Sequence, residues 1–151
     1  MDPLTTGNGR LRDIGVIDLR VISDDRGIIT VAEAQRHVPF AIERLFVVSG
    51  VAAGASRGGH AHKAQTQFLI CVAGSVAVLL DDGHQSRTIL LDKLDQGLVI
   101  PPLIWSTQVY QESESVLAIL SNAPYDEADY LRDYAEFQAF VNDVMDAEED
   151  A

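Results

Sequence analysis

At 151 residues and 16.4 kDa the chain is long enough for one domain with its own core, and its 47% hydrophobic content is ordinary for a globular fold. A net charge of −12, with no offsetting cluster of Lys and Arg, excludes nucleic acid as a partner, because an acidic surface repels a polyanion. No apolar run approaches the roughly 18 residues of a membrane span, and MDPLTTGNGRLRD at the start lacks the apolar core of a signal peptide. The expectation is a soluble, cytoplasmic protein with no membrane partner. The single cysteine, Cys71 in FLICVAG, allows no intrachain disulfide and reads as a buried strand thiol.

Residues 1–13 read as a flexible lead-in to a single domain over residues 14–145. From residue 14 to about 121, short apolar segments alternate with turns. VIDLRVI is followed by SDDRG, IITVAE, IERLFVVS, TQFLICVAG, SVAVLLDDG, RTILL, GLVIPP and SVLAILS. Strands of this length with Gly, Asp, Asn and Pro between them predict an all-β sandwich or barrel. Asp82-Gly83 in LLDDGHQ is a hairpin signal, since Gly suits a turn that needs positive φ. The pattern then changes. Leu131, Tyr134, Phe137, Val141 and Val144 recur in steps of three and four, which predicts a helix over about 126–145. Asp126 is its expected N-cap, and Glu127 and Asp129 favour the positive end of the helix dipole. Residues 146–151, closing in DAEED, read as a solvated acidic tail.

SRGGHAHKAQTQFLICVAG (56–74) carries the chemistry. Side chains alternate along a strand, so His60 and His62 face the same way and Ala61 the other. Two imidazoles together are candidates for a metal site, for proton transfer, or for satisfied core positions. The order Gly54, His60, His62, Gln67, Gly74 resembles the first motif of the cupin superfamily. Metal-binding cupins have glutamate where Gln67 stands, and their second motif brings another histidine where GLVIPPLIWSTQ (97–108) offers Trp105. Two of four ligands are therefore missing, and His37 and His84, in loop segments, do not replace them. No metal and no other cofactor is expected. Imidazole titrates near neutral pH, so proton transfer is the stronger reading of the pair.

Joined together, DDRG (24–27), RGGHAHK (57–63), QFLICVAGSVAVLLDDG (67–83), IPPLIW (100–105) and YDEADYLRDYAEF (125–137) resemble the sugar-nucleotide 3,4-ketoisomerases. These are metal-independent cupins acting on dTDP-4-keto-6-deoxyglucose, and the likeness spans about residues 16–140. It implies a jelly-roll β-barrel with a C-terminal helix. It also implies a homodimer with exchanged N-terminal strands, and conversion of a 4-keto to a 3-keto sugar through an enediol in deoxyamino sugar biosynthesis. His62 is then the base at C3 and His60 the partner at the oxygens, an assignment that is reversible. Arg26, Arg57 and, more weakly, Arg44 are candidates for the diphosphate, because guanidinium pairs with phosphate in bidentate fashion. Gln67 is a candidate for hydrogen bonding to the sugar or a histidine, and Trp105 for a wall of the sugar pocket. Tyr125 and Tyr130 read as packing residues. Relatives often carry tyrosine where RLFVVSG places Phe46 and Val47, which leaves the configuration at C4 open. A dTDP-sugar 3,5-epimerase, a metal-dependent cupin oxygenase and a non-catalytic sugar-binding cupin are the other readings.

Overall fold

The computed structural model describes Leu11 and residues 14–150. The strands are β1 (Val16–Asp18), β2 (Arg20–Asp24), β3 (Gly27–Val31), β4 (Arg44–Val48), β5 (Ser56–His62) and β6 (Gln67–Ala73). They continue as β7 (Val76–Asp81), β8 (Ser86–Leu91), β9 (Gln96–Ile100), β10 (Trp105–Tyr110), β11 (Val116–Ser121) and β12 (Tyr130–Leu131), before helix α1 (Tyr134–Glu149). Two five-stranded antiparallel sheets form, ordered β1-β9-β6-β11-β4 and β12-β5-β10-β7-β8. This is the expected all-β jelly roll with a C-terminal helix. The β2–β3 hairpin pairs only with itself.

Alternation builds the core. Along β7, Val76, Val78 and Leu80 are fully buried, and the residues between them are not. They meet Ile89 and Leu91 of β8, Leu98 and Ile100 of β9, and Leu69, Cys71, Leu117 and Ile119 from β6 and β11. Each large aliphatic side chain so buried contributes about 1.5–3 kcal/mol. The Asp82-Gly83 turn joins β7 to β8 with Gly83 at φ +97°, as expected. A second cluster, Leu19, Val38, Phe40, Phe68 and Val99, lies apart from the first. Gly97 makes it possible: a Cβ there would stand 2.0 Å from the Phe68 ring.

Four boundaries differ from the sequence pattern. VIDLRVI is two strands, because buried Leu19, whose N–H bonds the Asp95 carbonyl, separates β1 in the first sheet from the hairpin. The helix starts at Tyr134 under an Asp133 N-cap that accepts from the Glu136 N–H. Asp126 instead caps a 3-10 turn, Glu127–Asp129, and Leu131 lies in β12, opposite Ala61. Leu131 matched the helical period because it joins Phe137 and Val141 in one cluster beneath α1. At the far end the helix continues through Glu149, so most of the acidic tail is helical. Of the lead-in, Leu11 is buried in the main core and its carbonyl accepts from Arg87; residues 1–10, 12 and 13 lie outside the described residues.

Candidate active site

A cavity of about 520 Å³ opens between the β4–β11 side of one sheet and the β5–β12 side of the other. That volume is in the range of small-molecule sites. Its polar lining comes from Ser49, Arg57, His60, Gln67, Gln108, Tyr130 and Arg132. Phe46, Val48 and Ile119 supply the apolar side.

A β-bulge brings the strand-borne residues together. His60 stands opposite Ser106 and Gly58 opposite Thr107, so Gly59 is extra. Gly58 and Gly59 have φ of +91° and +75°, which other residues adopt only with strain. A Cβ on Gly58 would also sit 2.7 Å from the Gln108 side-chain oxygen. The inserted residue shifts the alternation, so Arg57 and His60, three apart, both line the cavity. The Leu103 N–H bonds the His62 carbonyl at 2.8 Å and holds the end of the strand, with Leu103 itself at φ +66°.

Three rings meet at the cavity wall. The His60 and His62 centroids are 5.3 Å apart, and Tyr130 lies 5.0 Å from His60 and 4.4 Å from His62. His60 and Tyr130 line the cavity, while His62 is buried against both. His62 Nδ1 is 3.1 Å from Asp129 Oδ2. The same carboxylate accepts from the Ala64 and Gln65 N–H groups, which hold it in place. A carboxylate on Nδ1 fixes the tautomer with the proton there and leaves the lone pair on Nε2. That Nε2 is buried and has no protein partner among the described residues. Burial, and then the neighbouring His62, push His60 down to about 4. His62 is also lowered by burial, partly offset by Asp129. Both rings are therefore neutral near pH 7, able to accept a proton.

The other expected residues fall in different places. Gln67 lines the cavity and donates to the Gln65 side-chain oxygen, which also accepts from Arg44 Nη2 at 3.0 Å. Arg44 thus belongs to the network beside the cavity, with its guanidinium over the Phe46 ring. Arg26 is at the tip of the β2–β3 hairpin, paired with Asp24 at 2.6 Å, and lines no part of this cavity. Trp105 faces outward. On β10, Ser106, Gln108 and Tyr110 point into the sandwich, so strand parity turns Trp105 to the other side, against Tyr134 and Phe137 of α1.

Residues to which the sequence reading gave no chemistry also stand at the cavity or against its histidines. Asp129, Tyr130 and Arg132 follow one another closely in YDEADYLRDY, and Gln108 lies on β10. The first three were read as part of a helix, because a two-residue strand is too short to show a period. Arg132 holds Glu127 through two hydrogen bonds and lies 4.1 Å over the Tyr130 ring. Among the described residues no group of three or more His, Cys, Asp or Glu gathers as a metal site, and no helix is long and apolar enough to cross a membrane.

Residues 12–142 match the family model described as FdtA: WxcM-like, C-terminal. The chain belongs to that family. It is 36% identical over 126 residues to TDP-4-oxo-6-deoxy-alpha-D-glucose-3,4-oxoisomerase of Aneurinibacillus thermoaerophilus, covering 83% of this chain and 91% of that relative. QdtA, a sugar 3,4-ketoisomerase from Thermoanaerobacterium thermosaccharolyticum solved with TDP, superposes with a TM-score of 0.85 at 32% identity, over 89% of this chain and 98% of QdtA. A histidine-to-asparagine mutant of QdtA has been solved with TDP-4-keto-6-deoxyglucose. WlaRB, a TDP-quinovose 3,4-ketoisomerase from Campylobacter jejuni, gives a TM-score of 0.81 at 33% identity, over 85% and 99% of the two chains.

Proposed function

We propose that this protein is a sugar-nucleotide 3,4-ketoisomerase that converts a dTDP-linked 4-keto-6-deoxyhexose to its 3-keto isomer. The observation that carries the reading is the pair of neutral imidazoles, His60 on the lining of an open polar cavity and His62 packed behind it and oriented by a carboxylate. The C4 ketone acidifies the C3 proton, and His62 removes it through Nε2. Asp129 keeps the Nδ1 proton in place and stabilises the imidazolium that forms. His60 donates a hydrogen bond to the sugar oxygens. Returning the proton at C4 and forming the ketone at C3 completes an internal redox that consumes no external oxidant. The resulting 3-keto group suits transamination, which places the enzyme in deoxyamino sugar biosynthesis. Arg57 and Arg132, two guanidinium groups on the cavity lining, bind the diphosphate against an otherwise acidic surface. Gln67 hydrogen-bonds the sugar.

The protein works as a homodimer with exchanged N-terminal strands. Support comes from the β2–β3 hairpin, which pairs with neither large sheet and leaves Ile28 and Ile29 68% and 60% exposed. Arg26 is a substrate ligand only through that dimer, since within one chain it lies away from the cavity.

The test is proton NMR of dTDP-4-keto-6-deoxyglucose in D₂O with metal-stripped protein, beside His62→Asn. Loss of the C3 proton signal and growth of a 3-keto sugar, both abolished by the substitution, is the expected result. Exchange at C5 identifies a 3,5-epimerase instead. Tight binding with no exchange identifies a non-catalytic sugar-binding protein.

A further inference from the structure

We propose that Tyr130 carries the proton that passes between the two sugar oxygens, a role that rests on the ketoisomerase reading of the site. Tyr130 stands opposite His62 across the β12–β5 ladder, so the backbone sets its ring against the base. It lines the cavity beside His60. Among the described residues no group hydrogen-bonds its hydroxyl, unlike Tyr125, which donates to Glu127, and Tyr134, which donates to Asp81. The phenol is thus held on the cavity wall with its one exchangeable proton uncommitted.

The rest of the lining cannot do this work as well. Phe46, Val47, Val48 and Ile119 have no proton to give, and β4 in particular carries no hydroxyl. Gln67 and Gln108 are amides, and the Arg57 and Arg132 guanidiniums stay charged. Ser49 is an aliphatic alcohol, far less acidic than a phenol. His60 is the serious competitor. Once His62 has taken the C3 proton it is an imidazolium, and a second imidazolium 5.3 Å away in a buried setting is disfavoured by both charge and desolvation. A phenol has the opposite sign. By giving up its proton first it becomes an anion beside the His62 cation, whose ring centroid is 4.4 Å away.

The steps balance. His62 takes the C3 proton, the freed electron pair forms the C3–C4 double bond, and the C4 carbonyl electrons move to its oxygen, which takes the Tyr130 proton. The Tyr130 phenolate then takes the proton of the C3 hydroxyl. That oxygen's electrons form the C3 carbonyl, the C3–C4 double-bond electrons take the proton from the His62 imidazolium at C4, and both side chains return to neutral. His60 holds the oxygens by hydrogen bonding throughout.

Tyr130→Phe tests this directly, because it keeps the ring that packs on both histidines and removes only the hydroxyl. With dTDP-4-keto-6-deoxyglucose in D₂O, the expected variant shows kcat for isomerisation lower by at least about 10²-fold, the low end for a general acid–base group. Its KM stays near the wild-type value, and deuterium still enters C3, so the ratio of C3 exchange to isomerisation rises. Isomerisation at the wild-type rate would overturn the proposal, leaving Tyr130 as a packing residue. Equal loss of exchange and isomerisation would also overturn it, since Tyr130 would then only position His62. Wild-type protein that neither exchanges C3 nor isomerises would overturn the ketoisomerase reading itself, and that result is read before any variant is made.

Discussion

The two edges of the sandwich are built by the same alternation and filled with opposite chemistry. Toward β7, β8 and β9 the inward positions are Val76, Val78, Leu80, Ile89, Leu91, Leu98 and Ile100, closed and dry. Toward β4, β5 and β12 the inward positions are Arg57, His60, Gln67 and Gln108, and the sheets stay apart. Single strands cross between the two regimes: β6 runs from Gln67 to Leu69 and Cys71, and β10 from Ser106 and Gln108 to Tyr110. The open edge also carries a cost in stability. Buried Arg44 Nε, His62 Nε2 and Gln65 Nε2 have no partner there, against Tyr110 Oη alone among the described atoms of the closed side. An unsatisfied buried polar group costs about 1–3 kcal/mol, comparable to what one buried aliphatic side chain returns. The closed edge stabilises the fold that the open edge draws on.

Substitutions sharpen that division. Leu98→Ala, in the closed edge, is expected to lose about 2–5 kcal/mol of stability in urea unfolding, with kcat and KM of the folded protein unchanged. A fall in kcat at full folding would break the comparison. Asp129→Asn leaves one oxygen where the Ala64 and Gln65 amides use one each, and it removes the carboxylate that orients His62. Turnover should drop roughly 10²-fold, while stability falls only by the roughly 0.5–1.5 kcal/mol of one lost hydrogen bond.

The pH dependence has a definite sign. Both histidines are held below the ordinary 6.5, His60 to about 4. Activity should be level from pH 8 to 6.5 and fall only below that, as the bases gain protons. Asp129→Asn removes an interaction that raises His62, so its acid limb should move to lower pH. For stability, the unfolded chain protonates at 6.5 while the folded rings stay neutral. Their contribution is therefore constant above pH 6.5 and is lost as the pH falls toward 4. A stability curve flat across that window in wild type and steep in a His60→Gln variant would contradict the burial of the rings.

Smaller effects follow at the lining. Arg57→Ala should raise KM roughly tenfold, the worth of one charge-assisted contact, and leave kcat within about twofold. An unchanged KM would remove Arg57 from the diphosphate site. Gln108→Leu is the mildest test. It takes away the amide donor that buried Ser106 Oγ accepts from, so stability should fall by about 1 kcal/mol while substrate binding weakens. A loss as large as that of Leu98→Ala would mean that the open edge is packed as tightly as the closed one.

Much of this was legible in the chain before any fold was in view. The short apolar segments, the Asp82-Gly83 turn, the helix after the barrel and the shared strand of His60 and His62 follow from local rules: alternation, turn chemistry and periodicity act within a few residues, while Arg57 and Gln67 are marked by the resemblance to the ketoisomerases. The residues misplaced or missed depend on partners far along the chain. Trp105 has no local mark of its direction until Ser106, Gln108 and Tyr110 are seen to point inward. Arg26 has no mark of its distance from the cavity until the β2–β3 hairpin is seen to stand alone. Asp129 and Tyr130 lie 67 and 68 positions after His62 and Leu131 falls on a helical period, so sequence spacing assigned all three to the helix. What the sequence determined by itself was that residues 57–63 bring a guanidinium and two imidazoles to one strand. What only the tertiary structure decided was the company that strand keeps, because pairing β12 with β5 is a long-range ladder, and only that ladder sets a carboxylate and a phenol against the imidazoles.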